Sequence, residues 1–297
     1  MSRFSRYAWV TLAYNFAVIL WGAFVRATGS GAGCGEHWPT CNGEVIPRPE
    51  AIETMIEFTH RLTSGIALLM TIVLVAWAVR AFEPGHRVRR AAWVTIGFML
   101  AEAALGAGLV LFGLVADDDS VARALVMCMH LLNTLFLLAG MVLTAWWADR
   151  PGVLDLRQGP VRALGAGFIG LFLVGVSGAI AALGDTLFPS ETLLDGLYAD
   201  LDPSSHFLIR LRSYHPVFAL IVSAGLFMLA RRLVESGATR RLAKLLMGLV
   251  GAQVAVGFIN LGLLAPIPLQ LVHLLMADLV WVVFVLLSAT TLNRTAS

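Results

Sequence analysis

The sequence predicts an all-α integral membrane protein whose eight transmembrane helices form two pseudo-symmetric four-helix bundles. Three observations predict it. Composition is the first: of 297 residues, 58% are hydrophobic and 13% are charged, against roughly 45–50% and about 25% in soluble domains. So few charges cannot cover the surface of a water-soluble globule of this size, and disorder, a collagen-like fibre and a disulfide scaffold are excluded as well. The second is the presence of eight apolar stretches, each near the ~20 residues that a helix needs to cross a bilayer core. The third is a weak internal repeat of four such stretches.

The spans read, in order, 6–26, 56–80, 91–115, 121–147, 160–183, 207–231, 242–264 and 268–291. None shows the period-two alternation of a membrane barrel strand. Basic residues sort to alternate ends of these spans. Arg3, Arg6, Arg80, Arg87, Arg89, Arg90, Arg150, Arg157, Arg162, Arg231, Arg232, Arg240, Arg241, Lys244 and Arg294 fall on one face, 15 of the 21 basic residues. The opposite face collects Glu36, Glu44, Glu50, Glu53, Asp117, Asp118, Asp119, Asp185, Glu191, Asp195, Asp200 and Asp202. The basic face is expected to be cytoplasmic, with both termini on it. The first apolar stretch is too long for a signal-peptide core and seven spans follow it. A multi-pass protein of a prokaryotic plasma membrane is the simplest reading. The net charge of +2 gives no argument for nucleic acid.

The repeat divides the chain into halves at 1–150 and 151–297. Gly22 answers Gly175, Trp38-Pro39 answers Phe188-Pro189, Glu102 with Gly106 answers Gln253 with Gly257, His60 answers His215, and His130-Leu131-Leu132 answers His273-Leu274-Leu275. Four spans is an even number, so the halves share one orientation, with an axis along the membrane normal.

Chemistry concentrates in four of the seven histidines. His60, His130, His215 and His273 lie in the second, fourth, sixth and eighth spans, each a few residues past the outer end. A lone membrane histidine is commonly an interhelical hydrogen bond; four at one depth, two per half, are a different pattern. Two imidazoles on facing helices of a four-helix bundle suit the two axial positions of heme iron. Zinc wants three or four ligands together, and each half offers two. Arg26, Arg61, Arg210 and Arg212 stand at the same rim, where they can pair with heme propionates or reach lipid head groups.

The halves differ in ways that bear on function. Glu57 stands one turn before His60 on the same helix face, and its counterpart is Arg212. An acid beside a heme in an apolar bundle is costly unless used; a shallow, interfacial Glu57 is the alternative. Glu102 and Asp278 are further intramembrane acids, read as packing or proton-relay residues. Cys34 and Cys41 in the first outer loop suit a disulfide on an oxidising face, or a metal site with His37. Cys128 fills core. Gly29-Ser-Gly31-Ala-Gly33 lacks the lysine and the strand-to-helix context of a phosphate loop.

The segments "GAFVRATGSGAGCGEHWPTC" (22–41), "EFTHR" (57–61), "MHLL" (129–132), "RLRSYHP" (210–216) and "LQLVHLL" (269–275) resemble the heme A synthase family over nearly all eight spans. The resemblance implies a pair of four-helix bundles that oxidises the C8 methyl group of heme O to the formyl group of heme A, for terminal oxidases. It implies a heme b cofactor on His215 and His273, substrate heme on His60 and His130, a catalytic carboxylate at Glu57 and a disulfide between Cys34 and Cys41. Some members carry a second cysteine pair in the C-terminal half; residues 184–206 contain no cysteine. Expected partners are heme O, membrane lipid, an electron donor, a heme O synthase and a second copy of the chain. Two rival classes remain: a di-heme cytochrome b passing electrons from quinol, and a transporter that uses its histidines as proton relays.

Overall fold

The computed structural model describes residues 1–48, 51–150, 152–157 and 159–294. Glu50, counted above among the outer acids, lies outside the described residues. Among the described residues ten α-helices follow in order: α1 (Arg3–Ala27), α2 (Ile52–Ala81), α3 (Arg87–Leu111), α4 (Val121–Trp147), α5 (Val161–Leu187), α6 (Leu193–Leu201), α7 (Phe207–Arg212), α8 (Tyr214–Leu233), α9 (Arg240–Gly262) and α10 (Ile267–Leu292). With α7 and α8 taken together, eight of these segments are long and apolar enough to cross a membrane, which bears out the predicted fold class. Two short strands, β1 (Val153–Leu154) and β2 (Asn293–Arg294), pair antiparallel.

Local chemistry sets several helix ends. Ser2, Ser120 and Thr192 accept the amides of Ser5, Arg123 and Asp195, the N-cap bond that satisfies an otherwise orphaned first-turn donor. The third span is corrected to 87–111: Gly113 takes φ +66° just beyond it, a left-handed stop that closes the helix before the acidic run. The sixth span breaks at Ser213 into α7 and α8. α6 is an outer-loop helix that hydropathy does not show.

In the N-terminal half α1 packs on α2, α2 on α3, α3 on α4 and α4 on α1. In the C-terminal half α5 packs on α8, α8 on α9, α9 on α10 and α10 on α5. Between the halves α4 meets α10, while α4–α5 and α1–α10 form matching flanks. This neighbour pattern is what a two-fold relation between the halves requires. One buried cluster holds Leu12, Leu135, Leu138, Met141, Trp281, Val282 and Val285 together across that boundary, and Trp281 Nε1 donates to the Leu135 carbonyl at 2.8 Å. Phe98, Phe136, Phe172, Trp281, Phe168 and Phe284 form a continuous ladder of rings, successive centroids 4.7–5.4 Å apart. Leu62, Leu69, Leu100 and Ile169 face outward, as lipid contact demands.

Candidate functional site

The four histidines sit in the second or third turn of α2, α4, the α7–α8 segment and α10, all at one end of the bundle. Each ring lies against a glycine of the neighbouring helix. A Cβ built on Gly22 of α1 would come within 2.8 Å of His60 Cε1; on Gly178 of α5, within 3.0 Å of His215 Cε1; on Gly257 of α9, within 3.0 Å of His273 Cε1; on Gly106 of α3, within 3.8 Å of His130 Nε2. The true counterpart of Gly22 is therefore Gly178, one turn beyond Gly175; a Cβ on Gly175 would instead meet Leu131 and Leu135. At Gly22, Gly178 and Gly257 glycine lets an imidazole approach the helix backbone closely, whereas a Cβ at Gly106 would make only ordinary contact.

In the C-terminal half the rings of His215 and His273 stand 6.4 Å apart between centroids and perpendicular, at 89°. Two imidazole–metal bonds of about 2.0–2.1 Å, with ring radii behind them, put centroids roughly 6 Å apart, so the pair fits one iron between two axial nitrogens. Ser177 Oγ lies 3.2 Å from His215 Nδ1, which orients the ring and leaves Nε2 for ligation. His273 Nδ1 and His60 Nδ1 are buried with no hydrogen-bond partner among the described residues.

Glu57 is buried, 3% exposed. Its Oε2 accepts the Cys34 amide at 2.8 Å, and its Oε1 pairs with Arg61. Arg61 Nη1 also donates to the carbonyls of His37 and Thr40. Thr54 Oγ1 donates to the Gly33 carbonyl at 2.7 Å, and Gly33 packs so tightly that a Cβ would lie 2.5 Å from Glu53 backbone. Cys34 and Cys41 are disulfide-bonded, which removes the alternative metal site with His37; among the described residues no group of three His, Cys, Asp or Glu could hold a metal ion. The remaining thiol, Cys128, is free and buried.

Arg212, at the position equivalent to Glu57, performs the corresponding task in the other half. It donates to Asp200 at 2.7 Å, Asp185 at 3.1 Å, Phe188 O at 3.3 Å and Ser190 Oγ at 3.3 Å, and so ties the acidic loop to α7. In that loop Asp202 is held below the usual carboxylate range by the Ser204 amide and hydroxyl. Arg26 crosses between halves, donating to Ala182 O at 2.6 Å, to Thr186 Oγ1, and to Gln270 Oε1 at 2.8 Å. Arg61, Arg212 and Arg26 are thus engaged by protein acceptors. Arg210 is exposed, with one bond to Pro203 O at 3.0 Å.

Sequence reasoning missed Arg123, buried at 3% exposure, which ties α4 to the Ala116 and Asp118 carbonyls. It also left Glu102 unassigned. Glu102 Oε1 lies 2.9 Å from His130 Nδ1, and its repeat counterpart Gln253 has Nε2 3.4 Å from His273 Nε2; that matched pair was the available signal. Asp278 is buried, with Oδ2 unpartnered among the described residues.

The model of the COX15-CtaA family, described as cytochrome oxidase assembly protein, matches residues 5–285. The chain belongs to this family. Among relatives of this COX15-CtaA chain, a protein of Thermus thermophilus named protoheme IX farnesyltransferase is 52% identical over 302 residues, covering 99% of this chain and 49% of that protein. The chain thus spans about half the length of this relative. A heme A synthase of Alkalihalophilus pseudofirmus is 40% identical over 111 residues, 37% of each chain. One of Halalkalibacterium halodurans is 45% identical over 96 residues, 32% of each chain. The family match bears out the resemblance drawn from the histidine and cysteine segments.

Proposed function

We propose that this chain is a heme A synthase that oxidises the C8 methyl group of heme O to a formyl group. One observation carries the reading: two equivalent histidine pairs stand at one depth, and the position one turn before the first histidine is acidic in one half (Glu57) and basic in the other (Arg212). Two halves with the same task would not need that asymmetry. The names of the heme A synthase relatives and of the farnesyltransferase relatives support a farnesylated heme as substrate and a heme O synthase as neighbour in the membrane.

In this reading His215 and His273 hold a resident heme b, and His60 and His130 hold the substrate heme. When bound there, the iron-porphyrin groups would supply the redox chemistry. The chain's residues do the rest. The glycine seats fix the imidazole planes, the disulfide loop covers the N-half site against water, and Glu57 holds or takes up a proton near the reacting methyl group. Positioned acid–base help of this kind is typically worth 10²–10⁴-fold.

The arginine asymmetry supports cytoplasmic termini in a prokaryotic plasma membrane; reporter fusions at 83–86 and 235–238 then read cytoplasmic and one at 195–200 reads external. The deciding experiment for function is extraction of hemes from cells that make heme O, with and without this chain. Heme A only in its presence is the expected result. Heme-loaded protein that never yields formyl-heme indicates the second reading, a di-heme electron carrier. One observation favours that reading: both Glu57 oxygens are already engaged, by Cys34 and Arg61.

A further inference from the structure

The two halves treat their second histidine differently. In the N-terminal half Glu102 of α3 brings Oε1 to 2.9 Å from His130 Nδ1. Its carboxylate is braced by α4: Thr134 donates to Oε1 at 2.5 Å and the Asn133 amide donates to Oε2. Asn133 is itself fixed to the Phe98 carbonyl at 2.9 Å. In the C-terminal half the equivalent residue of α9 is Gln253, with Nε2 3.4 Å from His273 Nε2. Both stand one turn before the glycine that seats the histidine, Gly106 and Gly257. The position on the helix is the same, but a carboxylate at Nδ1 of His130 is replaced by a neutral amide at Nε2 of His273, which leaves Nε2 of His130 and the unpartnered Nδ1 of His273 as the nitrogens free for iron.

We propose that Glu102 is a positioning residue for His130: it fixes the ring's tautomer and plane and makes His130 the stronger electron donor to iron, while Gln253 leaves His273 a weaker one. This deepens the functional reading above and rests on its premise that the histidine pairs hold hemes. A carboxylate on the outer nitrogen of a ligating imidazole raises the basicity of the other nitrogen, and a more basic axial ligand favours the ferric state. The N-half iron is thereby held at a lower midpoint potential than an amide at position 102 would give.

The test uses the full chain, purified in detergent and titrated with hemin, with potentiometric titration of the Soret band and low-temperature EPR of the ferric state. Glu102→Gln should keep two hemes per chain and shift one redox wave upward, with altered g-values for that heme alone. Gln253→Glu should shift the other wave downward. Thr134→Val, which frees one brace of the carboxylate without removing it, should move the same wave as Glu102→Gln by less. Two hemes with neither wave moved in Glu102→Gln and Gln253→Glu would overturn the proposal alone. A wild-type chain that takes up no hemin would overturn the functional reading, and the proposal with it. Should Glu102→Gln fail to fold, the Gln253→Glu shift still decides.

Discussion

The Cys34 amide donates to Glu57 Oε2 at 2.8 Å, so the disulfide loop is bound to the helix that carries His60. With Arg61 on the other carboxylate oxygen and on the His37 and Thr40 carbonyls, acid, loop and histidine helix form one connected unit. The C-terminal half makes the corresponding tie through Arg212 and two aspartates, without a cysteine.

Glu57→Gln keeps an oxygen for the Cys34 amide and removes the charge opposite Arg61. Folding and resident heme content should match wild type, while heme A output falls at least ~100-fold, with a partly oxidised alcohol form of the substrate accumulating. Chromatography of extracted hemes at matched protein level reads this directly; unchanged heme A would reduce Glu57 to a loop anchor.

The histidine pairs should not respond alike. If the C-terminal pair holds a resident heme b as proposed, His215→Ala or His273→Ala strips most of it, since either change removes one ring of the perpendicular pair. His60→Ala or His130→Ala should leave most of that heme and abolish heme A formation. Pyridine hemochrome spectra of the four purified variants make the comparison, and equal losses would show halves with no division of labour.

Alanine at a histidine seat should act as a local wedge. A Cβ at Gly22 or Gly257 meets an imidazole carbon at 2.8 or 3.0 Å, so the ring must turn. Gly257→Ala should lose heme b, and Gly22→Ala should lose product with heme b retained. Gly65→Ala, with nothing within 4 Å of the new Cβ, is the silent control. Absorbance per chain after size-exclusion chromatography reads heme b in all three, and chromatography of extracted hemes reads product.

The cysteine count gives a labelling test. Denatured without reductant, the chain should take up one thiol reagent, at Cys128, and after reduction three. Closing a loop this short restricts the unfolded chain by about 2.5 kcal/mol, so Cys34→Ser should lower the thermal midpoint in detergent and expose Gly33–Cys41 to protease.

Hydropathy made the eight spans legible because lipid imposes one requirement on every crossing helix. It could not show α6, a short helix in the outer loop, or the local break at Ser213 inside an otherwise apolar span. The four histidines were visible because their depth repeats. The role of Glu102 was not, since its partner His130 lies on another helix and no spacing along α3 points to it. The rim arginines were found as charges, but only tertiary contact distinguishes Arg26, bonded across the halves, from exposed Arg210.

The ladder of rings from Phe98 to Phe284 carries a consequence for how each half tolerates substitution. Its members come from α3, α4, α5 and α10, and Trp281 is fastened to the Leu135 carbonyl. A change of one ring's size alters the seat of the next, on the other side of the boundary. Because the seam is shared, the two halves are mechanically coupled: a cavity or an overpacked ring on one side must be absorbed by close-packed neighbours on the other.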